Sequence, residues 1–87
     1  MVIFMNKILV IVYIPSIEQE YEIFIPINKK IGTIKTKIIE SVIELSDGNI
    51  KNVDNLRLYE KESASMLHNN IMVKNSGLKN GSKIILM

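Results

Sequence analysis

Gly77-Leu78-Lys79-Asn80-Gly81-Ser82-Lys83-Ile84-Ile85-Leu86-Met87 is the stretch whose reading decides the fold. Asn80-Gly81 favours a tight turn with positive φ at both positions, and the run over residues 83–87 reads as a strand launched from that turn. Strand alternation places Ile84 and Leu86 on one face and Ile85 and Met87 on the other. An apolar strand that reaches the last residue is expected to lie inside a sheet, with its end held in the structure rather than free for chemistry.

Working outward, residues 7–14 are β-branched, aromatic or leucine at every position after Lys7 and read as a strand. A run apolar on both faces belongs in the middle of a sheet, or has one face covered by something else. Pro15-Ser16 breaks it, because proline cannot donate to the ladder. Residues 20–27 then alternate, Tyr21, Ile23 and Ile25 against Glu20, Glu22 and Phe24, as a half-buried strand does, and the short connection predicts an antiparallel hairpin. The period changes at Thr33. Ile34, Ile38, Val42 and Leu45 fall on one helical stripe, with Thr33 as N-cap and Gly48 as the C′ residue. Residues 49–55 form a polar linker anchored by Ile50 and Val53. A short strand follows over 56–59, with Leu56 and Leu58 on one face. Residues 60–70 are a polar loop carrying Met66 and Leu67, with room for a very short edge strand, and 71–73 return to the core. The expected architecture is α+β, a mixed four- to five-stranded sheet with one helix packed across it.

Eighty-seven residues make one small core; residues 1–6 read as an N-terminal extension and 7–87 as the domain. The hydrophobic fraction of 47% against 23% charged argues for a packed globule rather than a disordered chain. The abundance of Ile, Lys and Asn matches an AT-rich genome and carries no functional weight. The lack of cysteine excludes disulfides and thiolate chemistry and fits a reducing compartment. A formal charge of +2 is too small to imply a nucleic-acid partner. The longest apolar run, over 8–14, falls far short of the ~20 residues needed to span a bilayer. The apolar start lacks the basic leader and cleavage site of a signal peptide, so the expected location is cytoplasmic with no stable membrane insertion.

The hairpin, the Thr-Ile-Lys-Thr-Lys-Ile segment (33–38), the Asn-Leu-Arg-Leu-Tyr strand (55–59) and the Gly-Leu-Lys-Asn-Gly-Ser-Lys-Ile-Ile-Leu ending (77–86) together resemble the ubiquitin-like β-grasp superfamily. The similarity covers residues 7–87; only the loop 60–70 cannot be placed on it. The chain is most similar to the small bacterial ubiquitin-like proteins of the YukD/EsaB type, through its size, Ile25-Pro26 closing the second strand and the Ser-Gly-Leu-Lys-Asn-Gly-Ser stretch (76–82). Those proteins are encoded with type VII (WXG100, ESAT-6-like) secretion systems. The resemblance implies a non-catalytic cytosolic accessory or regulatory protein that acts by binding another protein, with no cofactor; an adaptor in an unrelated bacterial or phage system is the alternative. Modifiers and sulfur carriers share the superfamily and work through a bare C-terminal Gly-Gly. The Ile85-Leu86-Met87 ending lacks it, which disfavours conjugation or sulfur transfer.

Residue chemistry gives no catalytic reading. His68, the sole histidine, could act as a general base near neutrality, but it has no nucleophile beside it and reads as a solvated loop residue. Glu40 and Glu44 lie one helical turn apart and repel by about a few tenths of a kcal/mol; with Asp47 and Asp54 they read as solvated surface. Two candidate protein-interaction surfaces remain. Lys35 and Lys37, with Lys29 and Lys30 before them, make the helix start basic. That opposes the helix dipole at about 0.3–1 kcal/mol per charge at most and suits an acidic protein partner or, far more weakly, nucleic acid; surface decoration by a lysine-rich genome is the plainer reading. Tyr59, Ile85 and Met87 have the parity opposite to Leu58, Ile84 and Leu86. If the last strand lies beside the 56–59 strand, as the resemblance implies, they form an apolar patch on the open side of the sheet, extended by Leu9, Ile11 and Tyr13 or by Ile8, Val10 and Val12. Cover by residues 1–5 or by a second copy is the alternative to a partner. Ile39 and Ile43, off the helical stripe, are a weaker third surface. Homo-oligomerisation stays open.

Overall fold

The computed structural model describes residues 6–50 and 53–87. Residues 1–5 of the expected extension and residues 51–52 of the linker lie outside them. Strands β1 (Lys7–Ile14) and β2 (Gln19–Pro26) form the expected hairpin, joined through a 3₁₀ turn at Pro15–Ile17. Helix α1 (Ile31–Leu45) follows, then β3 (Leu58–Glu60), β4 (Ser65–Met66) and β5 (Ser82–Leu86). The sheet order is β2-β1-β5-β3-β4, with β5 parallel to β1 and antiparallel to β3. The last strand of the sequence is therefore the central strand of the sheet.

One face of the sheet meets the helix. Val10, Val12 and Ile14 of β1, Ile25 of β2, Leu58 of β3 and Ile84 and Leu86 of β5 are buried against Ile31, Ile34, Ile38 and Val42 of α1. Ile50, Leu56, Leu67, Val73 and Leu78 close the core from the loops. Ile50 thus anchors the linker as expected, and Leu56 fills the core from just before β3.

The helix begins earlier than its sequence suggests, and Thr33 is not its cap. The N-cap is Lys30, with no side-chain capping bond. Instead, the Ile31 N–H donates to the Ile71 carbonyl at 2.8 Å and the Gly32 N–H to the Asn69 carbonyl at 3.0 Å. Backbone from the 69–71 loop satisfies the orphan amides that a Thr hydroxyl would otherwise serve. Ile71 contributes through that carbonyl, and its side chain stays exposed. At the other end, the Gly48 N–H bonds to the Ile43 carbonyl at 2.9 Å and the Asp47 N–H to that of Glu44 at 3.4 Å. This is a Schellman closure with Asp47, at φ 55°, in the C′ position and Gly48 one residue later. Leu45 is 58% exposed rather than on the buried stripe. As the last helical residue it overhangs an open cleft beside Ile17, Gln19 and Tyr21, and Ser46 takes the buried place after it.

At Asn80-Gly81 only the glycine is left-handed, at φ 89°. The turn closes through the Ser82 N–H to the Lys79 carbonyl, 2.9 Å, the type II pattern. A hairpin turn with two positive φ values is not needed, because the strand that follows pairs in parallel with β1. The Asn80 Oδ1 accepts from the Leu9 N–H at 2.7 Å, and the Gly81 N–H donates to the Leu9 carbonyl at 2.7 Å. Leu9 lies one position before the β1–β5 ladder begins at Val10 and Ser82. The turn thus supplies the partners that the ladder does not reach, and it fixes the register of β5 on β1.

Candidate functional site: the open face of the sheet

The face turned away from the helix follows from the register. Tyr13 is opposite Glu20 on β2 and beside Ile85 on β5; Ile85 is opposite Tyr59 on β3, and Tyr59 opposite Met66 on β4. Opposed residues share a face, so Glu20, Tyr13, Ile85, Tyr59 and Met66 make one row across all five strands. Neighbouring strands lie about 4.8 Å apart, so this row is about 19 Å long. A second row holds Glu22, Ile11 and Lys83, extended by Lys61, whose N–H donates to the Lys83 carbonyl at 3.0 Å. Phe24 and Leu9 form a third. Met87 and Arg57, which exchange backbone bonds of 2.9 and 3.1 Å, form a fourth.

Tyr59, Ile85 and Met87 are therefore brought together, and the open alternative for β1 resolves to Leu9, Ile11 and Tyr13, since Val10 and Val12 are buried under the helix. Phe24, 60% exposed, and Met66, 37% exposed, belong to the same surface, beyond the patch that the sequence alone suggests. The parity of Phe24 is readable; its weight is not, because its neighbours Glu20 and Glu22 make that face look polar. Met66 needs the two-residue strand β4 to be placed.

Lys35 and Lys37 do not join this face. They lie on α1, in the layer on the opposite side of the sheet, Lys35 half-buried and Lys37 exposed. The first turn of α1 contains no acidic residue and the last turn no basic one, so the helix carries its charge against its dipole. Ile39 packs partly against the core, and Ile43 is 37% exposed. His68 is exposed. Among the described residues no group of three His, Asp or Glu side chains is placed to hold a metal ion.

The open face ends at an ordered turn between β3 and β4. The Glu60 carboxylate accepts from the Ser63 N–H at 2.9 Å and the Glu62 N–H at 3.1 Å. Bonding to the Ser63 side chain, then to the Ser63 and Glu62 amides, with a smaller attraction from Lys79, holds the Glu60 pKa below the usual glutamate value. A depressed carboxylate pKa contributes stability above the ordinary value that is lost as pH falls through the lowered one. Protection of the Glu62 and Ser63 amides, taken relative to intrinsic exchange, should therefore fall on acidification in the native protein. In Glu60→Gln it should already be low and insensitive to pH. Identical profiles in the two proteins would show that the carboxylate does not hold the turn.

No protein-family model matches the chain, and no curated protein matches it. Solved structures do. A ubiquitin-like domain from Arabidopsis thaliana superposes with a TM-score of 0.69 at 19% identity, covering 95% of this chain and 78% of that one. Caldiarchaeum subterraneum ubiquitin gives 0.68 at 16%, with 92% and 90% covered. A chain of an ESX-5 inner membrane complex gives 0.76 at 9% identity, with 94% of this chain lying on 21% of that one. Identities this low speak for the fold alone, and the fold is the ubiquitin-like β-grasp: one helix across a mixed five-stranded sheet.

Proposed function

We propose that this protein is a non-catalytic protein-interaction module that docks its partner on the open face of the sheet, as a cytoplasmic accessory component of a bacterial type VII secretion system. One observation carries the docking assignment: the row Tyr13, Ile85, Tyr59 and Met66 lays apolar side chains across four adjacent strands on the side that the helix leaves uncovered. A contiguous apolar surface rimmed by charges is the usual mark of an interaction site on a soluble domain. The β-grasp fold hosts many functions, so the fold by itself does not identify the partner. Two features support the secretion assignment: the resemblance of residues 76–82 and of Ile25-Pro26 to the YukD/EsaB-type proteins, and the likeness of the fold to a domain-sized part of a chain in the ESX-5 inner membrane complex.

The test is affinity capture at native expression level from the host, with the membrane components of its type VII system followed by mass spectrometry, alongside export of the WXG100 substrates in a deletion strain. Capture of a system component together with impaired export supports the assignment. Unaltered export with no component captured removes the secretion role.

A further inference from the structure

We infer that the open face also receives a second copy of this chain, in a face-to-face dimer whose two-fold axis runs parallel to β1 and β5 and passes between them. The inference rests on reading this face as a docking surface, and it names one occupant. The charges on the face are sorted by strand. Exposed Glu20 and Glu22 lie on β2, at one edge, and exposed Lys7, on the same face at the start of β1, is a base on that half. Exposed Lys83 lies on β5, and exposed Lys61 and Arg57 continue β3 at either end, on the other half. The apolar row runs between and across them. Apart from Lys7 at the start of β1, the face carries acid on one half and base on the other, and such a surface is complementary to itself under a two-fold rotation that exchanges the halves, as an isologous interface requires.

Rotation about that axis exchanges β1 with β5 and β2 with β3. Tyr13 then meets Ile85 of the second copy, Glu22 meets Lys61 of the second copy, and Glu20 meets the phenol of Tyr59 of the second copy. Strands of the two sheets run nearly parallel, within the roughly 30° of aligned sheet packing. The same charges disfavour the competing symmetric arrangements. A two-fold axis across the strands would set Glu20 over Glu22 of the other copy. Pairing of the free β2 edges about Glu22 would set the two Glu22 side chains against each other, and like charges directly opposed are destabilising. The apolar row, one residue wide and about 14 Å long over three inter-strand gaps, covers far less than the ~800 Å² per partner of a stable interface. The dimer is therefore weak and concentration-dependent, with charge setting its orientation.

Sedimentation equilibrium of the full chain from micromolar to millimolar concentration is expected to show monomer passing to dimer, with association weakened by salt. Glu22→Lys and Lys61→Glu should each weaken dimerisation about tenfold or more, and the double variant, which restores the pair with its signs exchanged, should recover it. Both positions are exposed, so folding is not at stake. A protein that stays monomeric to millimolar concentration, or a dimer indifferent to the single reversals, overturns the inference. A double variant no better than the singles would overturn the Glu22–Lys61 pairing and the proposed axis with it. These results are independent of the docking assignment itself: a strictly monomeric protein whose Ile85→Asp variant loses its secretion partner would keep that assignment and lose the dimer.

Discussion

Leu86→Ala should lower the unfolding free energy by about 2–5 kcal/mol, the range for a buried leucine whose site cannot fully collapse. Leu86 is inaccessible to solvent, sits opposite Leu58 on β3, and belongs to the central strand. A cavity there is bounded by sheet on both sides and by α1 above, so little can move in to fill it. Small domains carry only about 5–15 kcal/mol in total, so this one change should remove much of the margin. A urea melt should show the midpoint falling by about a molar or more with the slope unchanged. Ile85→Ala, one residue away on the open face, should cost about 1 kcal/mol or less, because that side chain is already partly in water and leaves no enclosed void. Equal losses at the two positions would mean that both faces of β5 are core, and the open face would cease to exist as a surface.

That parity is legible in the residue order alone, as is the hairpin, because period-two alternation and a proline break are local signals. The helical stripe is legible at Ile34, Ile38 and Val42 for the same reason. Thr33, Leu45 and Asn80 mislead for another. Each makes a good local argument that a distant segment overrides: the carbonyls of Asn69 and Ile71 cap the helix, the helix outruns its cover at Leu45, and Leu9 claims the Asn80 carboxamide. Interactions over such separations leave no periodic trace. The open face is half visible. Tyr59, Ile85 and Met87 can be grouped once the resemblance to the β-grasp fold sets β5 beside the 56–59 strand, whereas Phe24 is masked by the glutamates around it. The sorting of Glu20 and Glu22 from Lys61, Lys83 and Arg57 needs the strand order, since it depends on β5 lying between β1 and β3.

Ile85→Asp should abolish partner capture while the domain stays folded. Ile85 is the centre of the cross-strand row, flanked by Tyr13 on β1 and Tyr59 on β3. Residues at the middle of an interface, shielded from water by their neighbours, contribute about 2 kcal/mol or more to binding. A carboxylate there must also be desolvated, a cost that Lys83, two residues along β5 on the same face, offsets only in part, which adds to the loss. Together these predict affinity reduced by at least about a hundredfold, converting about 2.7 kcal/mol at 1.4 kcal/mol per decade. In the free protein the carboxylate lies on the solvent side of the sheet and can be hydrated, so the expected loss of stability is about 1 kcal/mol, chiefly strand propensity. Met66→Asp provides the control at a less demanding position, because it is 37% exposed on the two-residue edge strand. It should weaken capture by a smaller factor and leave the melt unchanged. The two measurements separate the possibilities: lost capture with a near-native melt identifies the open face as the docking surface, whereas retained capture in both variants moves the binding site elsewhere on the domain. In that second case the exposed lysines at the start of α1, Lys37 with Lys29 and Lys30, become the surface to mutate next, since they lie on the opposite layer and neither variant touches them.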